Sequence, residues 1–193
     1  MSLSSEPRLQ APGKGLPLLH WVVARFIQFP SFCRKHTWHS AQEIFDREEK
    51  KIENLIAGLS PEVFSKRVLV SNIKGIEDSS RYWSPAMTIE HLSIVNQSIK
   101  TLVVKLAQNE VPEVKVKIEA VKPSGGSTVN RARRDFTQSC QEYRTETNRL
   151  TKPKTRSRLL HPWLGKLNAF EWHCLAASHM GIHRRQIQAI LKG

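Results

Sequence analysis

The 193-residue chain has only three cysteines, Cys33, Cys140 and Cys174, and no Cys-x-x-Cys pair. Because their number is odd and their spacing wide, a disulfide framework is excluded and a reducing, cytoplasmic location is expected. Long apolar runs are also absent. The most apolar stretch, residues 16–32, is interrupted by polar and charged side chains and by Pro30. It is therefore too short and too polar to span a bilayer, and it does not have the order of a signal peptide.

Acidic residues are scarce: 17 Asp and Glu stand against 30 Lys and Arg, so the formal net charge is +13. Much of the excess lies in residues 131–158, at Arg131, Arg133, Arg134, Arg144, Arg149, Lys152, Lys154, Arg156 and Arg158. This stretch indicates either a solvated helix face followed by a basic loop, or a patch that binds nucleic acid or another polyanion. Only Phe136 and Tyr143 are aromatic there, which argues against a platform that stacks single-stranded bases.

The apolar periodicity predicts an all-α protein, a four-helix bundle over residues 40–193. Its helices are expected over about 40–59, 84–106, 128–150 and 168–191, with N-caps at Ser40, Ser84, Ser127 or Thr128, and Asn168. Residues 1–39 form an N-terminal extension in this prediction. We expect it to be partly disordered, with a short amphipathic helix that Pro30 ends.

Three histidines are predicted to face the interior of this bundle. His179 and His183 are four residues apart, on a helical face that also carries apolar side chains, and His91 lies on the buried stripe of the second helix. Imidazoles turned inward with no acid close in sequence favour a metal site between helices. The alternative is that they are hydrogen-bonded core histidines, so that the site is vestigial.

Two segments carry a resemblance to a known family. Residues 83–92 (WSPAMTIEHL) and residues 161–186 (HPWLGKLNAFEW, then His-x3-His-x2-Gln) resemble the second and last helices of the DinB/YfiT-like superfamily. The resemblance spans roughly residues 40–193. It implies that His91, His179 and His183 are the ligands of a zinc or nickel ion, and that the protein forms a homodimer. Such a metal keeps a coordination position for water or substrate.

Superfamily members with assigned roles are thiol-dependent transferases or isomerases that use a low-molecular-weight thiol, and others are classed as metal-dependent hydrolases. The resemblance therefore implies a metal-dependent transferase or hydrolase that acts on a small molecule. The alternative function is a non-catalytic basic protein that binds nucleic acid or another polyanion.

Residues near the histidines receive secondary predictions. Gln186, one turn beyond His183, is expected to hydrogen-bond a ligand or a group behind it. Glu171 is expected either at the rim of the site or as a charge that complements the helix dipole. We expect Glu90 on the surface, His173 exposed and Cys174 in packing contacts.

Overall fold

The computed structural model describes residues 6–150 and 155–193, so Lys152 and Lys154 lie outside the described residues. In chain order the elements are α1 (Leu18–Val23), a π-helical turn (Ala24–Gln28), α2 (Phe29–Lys35), α3 (Trp38–Ile56), α4 (Pro61–Ser65), β1 (Val68–Leu69), β2 (Tyr82–Trp83), α5 (Pro85–Ala107), α6 (Val129–Asn148), β3 (Leu159–His161), β4 (Gly165–Leu167) and α7 (Ala169–Ile190). Strands β1 and β2 pair antiparallel, as do β3 and β4. Within the described ranges, no helix is long and apolar enough to cross a membrane.

The four long helices form the predicted bundle. α5 packs against α6 and α7, and α7 packs against α3. Side chains of α3 and α6 close the ring, since Phe45 stacks on Tyr143 with ring centroids 4.6 Å apart. The fully buried core between the four helices includes Phe45, Ile52, Ile89, Leu92, Phe136 and Ile187. The all-α, four-helix-bundle prediction is confirmed.

Three of the four long helices begin at the predicted caps. The side chains of Ser84, Thr128 and Asn168 each accept a hydrogen bond from the backbone N–H three residues further on. Glu171 returns a bond to the N–H of Asn168 and completes a capping box. These caps determine where α5 and α7 begin, and therefore where the three histidines lie along the axis of the bundle.

The start of α3 was predicted wrongly. Ser40 is the cap that the sequence predicts, but Thr37 is the cap and the helix begins at Trp38. Thr37 accepts from the N–H of Ser40, and the Ser40 hydroxyl accepts from the N–H of Thr37. Serine can fill either position of such a box, so the sequence left two starting points three residues apart.

The helix of the N-terminal extension does not stop at Pro30. Helical backbone continues through the π turn and α2 to Lys35. Pro30 occupies the first turn of α2, where the amide hydrogen that proline lacks has no obligatory partner. The preceding π turn resets the hydrogen-bonding pattern and so makes this possible.

His173 is fully buried, so its predicted exposure was wrong. Its ring stacks on Trp38, with centroids 4.0 Å apart. Nε2 lies 3.1 Å from the Trp38 carbonyl oxygen and must donate to it. Nδ1 then accepts from the hydroxyl of Tyr143 at 2.8 Å. This chain of hydrogen bonds ties α6 and α7 to the start of α3.

Replacing Tyr143 with phenylalanine is expected to lower the free energy of unfolding by about 1–3 kcal/mol, because Nδ1 of His173 would stay buried without a donor. Urea denaturation monitored by circular dichroism measures this. The matched control is Tyr82→Phe on β2, where Tyr82 is only partly buried, and a change within about 0.5 kcal/mol is expected. Equal losses in the two variants would contradict the role given to the Tyr143 hydroxyl.

Candidate metal centre

The structure brings His91, His179 and His183 together. His91 lies on α5, in the second turn after the Ser84 cap, and the other two lie one turn apart on α7. Nε2 of His179 is 3.3 Å from Nε2 of His91 and 3.0 Å from Nε2 of His183. Candidate ligand atoms of the three residues all lie within 4.8 Å of one another. The group could therefore hold one metal ion.

Hydrogen bonds at the other ring nitrogens fix two of the tautomers. Nδ1 of His91 lies 2.6 Å from the carbonyl oxygen of Val121, which can only accept, so Nδ1 carries the proton. Nδ1 of His183 lies 2.7 Å from Oε1 of Gln186. The Gln186 amide nitrogen donates to the carbonyl of Ser80 at 2.7 Å, which turns Oε1 toward the histidine. Both Nε2 atoms therefore present lone pairs to the centre of the cluster.

Three converging Nε2 atoms with at least two lone pairs suit a cation. If Nε2 of His179 carried a proton, it could donate to Nε2 of His91 or of His183, but not to both. The buried Nδ1 of His179 has no hydrogen-bond partner among the described residues. Zinc bound tetrahedrally at its usual 2.0–2.1 Å places nitrogen ligands about 3.3 Å apart. The measured separations of 3.3 Å and 3.0 Å are close to this value. The residues present thus fit a divalent metal.

Burial keeps the cluster neutral. It lowers the pKa of His91 to about 4. Burial, reinforced by the neighbouring imidazoles, also holds the pKa of His179 and of His183 well below the usual range. Neutral imidazole is the form that binds metal, so near pH 7 no proton has to be displaced.

A buried ion pair that was not predicted from the sequence lies beside the cluster. Nζ of Lys122 is 2.5 Å from Oε1 of Glu77 and also donates to the hydroxyls of Ser79 and Ser80. Oε2 of Glu77 is buried without a hydrogen-bond partner in the part of the chain that the structure describes. Both residues line the same cavity as the histidines. The pair adds an ammonium and a carboxylate oxygen that can accept a hydrogen bond.

His161 also lines this cavity, but its role differs from that of the cluster. It ends β3, and its Nδ1 accepts the backbone N–H groups of Trp163 and Leu164 at 3.1 Å and 3.2 Å. The proton of the neutral ring is therefore on Nε2, which becomes a donor. Burial lowers the pKa of His161 to about 4, so the ring stays in this form at neutral pH.

The His-Pro-Trp-Leu-Gly segment also anchors the N-terminal extension. Trp21 Nε1 and the Arg25 guanidinium both donate to the carbonyl of Trp163, at 2.9 Å and 3.1 Å. Gly165 has φ +88°, and a Cβ on it would lie 2.8 Å from the Arg25 guanidinium. Only glycine fits this turn and leaves room for the arginine.

The secondary candidates fall in different places. Gln186 is fully buried and holds His183, as described above. Glu171 caps α7 and pairs with Arg158 at 3.0 Å, so its carboxylate is engaged at the start of the helix, two turns before His179. Glu90 accepts bonds from Ser124 at the turn before α6. Cys174 is fully buried in the core.

A cavity of about 860 Å³ lies against the histidines. Its walls come from the N-terminal extension, α3, α5, α7 and residues 114–122. Most of its lining is apolar, and the apolar residues include Trp21, Phe32, Val95, Ile99, Leu102 and Leu175. A volume of this size is typical of sites for small organic molecules.

Much of the basic stretch is paired with other groups of the same chain, largely at the surface. Arg133 donates to the carbonyls of Ile56 and Leu59 at the end of α3. Other ion pairs join Arg131 to Asp135, Arg144 to Asp46 and Glu49, Arg149 to Glu146, and Arg158 to Glu171. These contacts favour the interpretation of a structural, partly solvated helix face. Nucleic-acid binding stays a prediction.

Comparisons with known proteins support the fold. No protein-family profile matches the sequence. No curated protein matches it either. Among solved structures the chain is similar to TT2238, described as a four-helix bundle protein, with a TM-score of 0.59 and 20% sequence identity. The match covers 79% of this chain and 99% of that one. The fold and the cluster together define a four-helix bundle with a three-histidine group that could hold a metal.

Proposed function

We propose that this protein is a metal-dependent enzyme of the DinB/YfiT-like type, in which His91, His179 and His183 hold a zinc or nickel ion. The observation that carries the proposal is the convergence of three Nε2 atoms, two of them deprotonated by the hydrogen bonds of the opposite ring nitrogens. In this proposal residues 40–193 are the enzyme body and residues 1–39 are an extension, whose residues between Leu16 and Phe32 contribute to the wall of the cavity.

The metal would supply a Lewis acid with a coordination position open to substrate. The chain's own residues would do the rest. Gln186 and the Val121 carbonyl orient two of the ligand rings. The Nε2–H of His161 offers a donor to a bound molecule, and Oε2 of Glu77 offers an acceptor that can receive a hydrogen bond or a proton. A donor and an acceptor in the cavity that adjoins the cluster suit both hydrolysis and transfer to a thiol.

Several further parts of this proposal follow from the resemblance. They are a low-molecular-weight thiol as co-substrate, a homodimer and a cytoplasmic location. The exposed apolar side chains of the N-terminal helix, Leu18, Leu19, Val22, Phe26 and Ile27, offer contact area for the homodimer. The cavity offers room for a small-molecule substrate.

The first test is elemental analysis of untagged protein purified without chelators. About one equivalent of zinc or nickel per chain is expected, either as purified or after dialysis against the metal, because the three neutral imidazoles are preorganised. Protein stripped with a chelator is the control and is expected to regain the metal. If no metal is retained after dialysis against zinc or nickel, the metalloenzyme proposal fails and polyanion binding becomes the leading function.

A further inference from the structure

Apolar side chains line the cavity along α5 beyond His91, with Ser98 and Thr101 beside them. Val95, Ile99 and Leu102 line it at successive turns of α5 beyond His91. Leu102 is eleven residues after His91, so at 1.5 Å per residue the lined length is about 16 Å. Near His91, Lys122 pairs with Glu77 and donates to Ser80, whose carbonyl accepts from Gln186. Three turns of α5 therefore separate His91 and this polar group from Leu102.

Large apolar side chains also form part of the other walls, although charged groups such as Glu48, Lys115 and Arg185 line the cavity as well. α2 contributes Phe29 and Phe32, and α7 contributes Trp172 and Leu175, which lie before His179 on the helix. Apart from the indole N–H of Trp172, these rings and chains offer no hydrogen bonds to a ligand. A highly polar molecule would leave its own donors and acceptors unpaired against them, at a cost of several kcal/mol for a set of groups.

We infer that this site takes an elongated, largely apolar substrate with one head group able to ligate a divalent metal, such as a carboxylate or a thiolate. The chain of the substrate lies along Val95, Ile99 and Leu102, and its head faces the three histidines. The placement of the head rests on the proposed function, whereas the placement of the chain rests on the walls alone.

The placement of the substrate's apolar chain is tested by competition binding. Straight-chain carboxylic acids, from butyrate to tetradecanoate, displace the fluorescent probe dansyl-undecanoic acid from metal-loaded protein. Each added CH2 is expected to tighten binding by about threefold to fourfold, until the chain exceeds the lined length of the cavity. An affinity that does not change with chain length overturns the inference.

A larger side chain inside the cavity provides the matched variant. Val95→Phe fills the space one turn from His91, and we expect it to weaken the longer acids by about tenfold or more. Val111→Phe makes the same change in the exposed connector after α5, where Val111 is 55% exposed, and is expected to leave the affinity unchanged. Should Val95→Phe fail to fold, Val116→Phe narrows the cavity from a partly buried position outside the helices. Equal affinities in the folded cavity variant and its control would overturn the inference.

Removing the metal separates this inference from the proposed function. In chelator-treated protein the gain per CH2 is expected to persist, because it comes from the apolar walls, while the affinity of every acid falls by a common factor. If the elemental analysis finds no metal, the proposed function fails but the dependence on chain length can still be measured. An affinity that is the same with and without bound metal would overturn the placement of the head group.

Discussion

Replacing His179 with alanine is expected to remove the metal and leave the bundle folded. His179 is the middle member of the cluster, since its Nε2 lies within 3.3 Å of both neighbouring Nε2 atoms. Without it only two ligands remain, and occupancy is expected to fall from about one equivalent to below about 0.1 after gel filtration. His179 is half-buried and lines the cavity, so its truncation removes ring contacts to His91 and His183 but leaves the apolar core intact. Elemental analysis and far-ultraviolet circular dichroism on the same sample measure both effects.

Stability gives a second readout of the same variant. Metal at about one hundred times its dissociation constant raises the free energy of unfolding by about 2.7 kcal/mol in the parent protein. This increment is expected to vanish in His179→Ala. The control is His39→Ala on α3, whose side chain is 85% exposed, and which should keep both the metal and the increment. Full occupancy in His179→Ala would contradict the ligand assignment.

The support behind the ligands can be tested separately. Gln186→Leu keeps the three ligands but removes the acceptor that orients His183 and the donor to Ser80. Loss of such a group typically weakens metal binding by 10–100-fold. A partial loss of metal affinity in Gln186→Leu and a complete loss in His179→Ala would agree with an orienting role for Gln186 and a ligand role for His179. Unchanged affinity in Gln186→Leu would mean that the tautomer of His183 does not depend on this contact.

The positions of His91, His179 and His183 could be predicted because they depend on local signals. The caps at Ser84 and Asn168 set where α5 and α7 begin, and the apolar periodicity sets which face is buried. Together these place the three histidines inside the bundle before any contact between helices is known. The fold class depends on the same two signals.

The polar groups beside the ligands could not be found in this way. Glu77 and Lys122 lie in two connectors that have no periodic pattern, 45 residues apart, and they meet only because both connectors cross the same end of the bundle. The tautomer of His161 likewise depends on the turn between β3 and β4. Contacts of this kind depend on loop conformation, which composition and spacing do not determine.

The error at His173 has a different cause. On a helical wheel His173 points away from the face that carries His179 and His183, and this direction alone predicts an exposed side chain. However, α7 contacts both α3 and α5, so more than one of its faces is buried. A helix with neighbours on two sides has no single buried stripe, and the wheel then predicts relative direction but not exposure.

The free energy of unfolding of the metal-free protein is expected to decrease strongly as the pH falls below about 6.5. Burial lowers the pKa of His91, His161 and His173 to about 4, and holds that of His179 and His183 well below the usual range. In the unfolded chain these groups titrate near 6.5. Between the two values the unfolded state binds more protons, so the stability is fully present above pH 6.5 and declines as the pH falls toward 4.

The slope is large because the histidines act together. Each contributes up to about 1.4 kcal/mol per pH unit, so even three of them can exhaust a typical domain stability of 5–15 kcal/mol within two or three units. One group opposes the trend. Burial raises the pKa of Glu49 to about 7 although Arg144 contacts it, so this carboxyl favours the folded state as the pH falls from 7 to 4.5. The pH dependence of Glu49 therefore cancels the contribution of about one histidine to the loss of stability.

Urea denaturation with a chelator present, in steps from pH 7.5 to pH 5, measures the net slope. We expect the unfolded state to take up about two or more protons near pH 5.5, and acid unfolding to be complete above pH 4. His161→Asn removes one buried titrating group outside the ligand set and should reduce the uptake by up to one proton, whereas His39→Asn, at an exposed position, should not. A stability that is constant or rises toward pH 5 would mean that the histidines are not buried in the neutral form, and the lone pairs that make the cluster a metal site would then be absent.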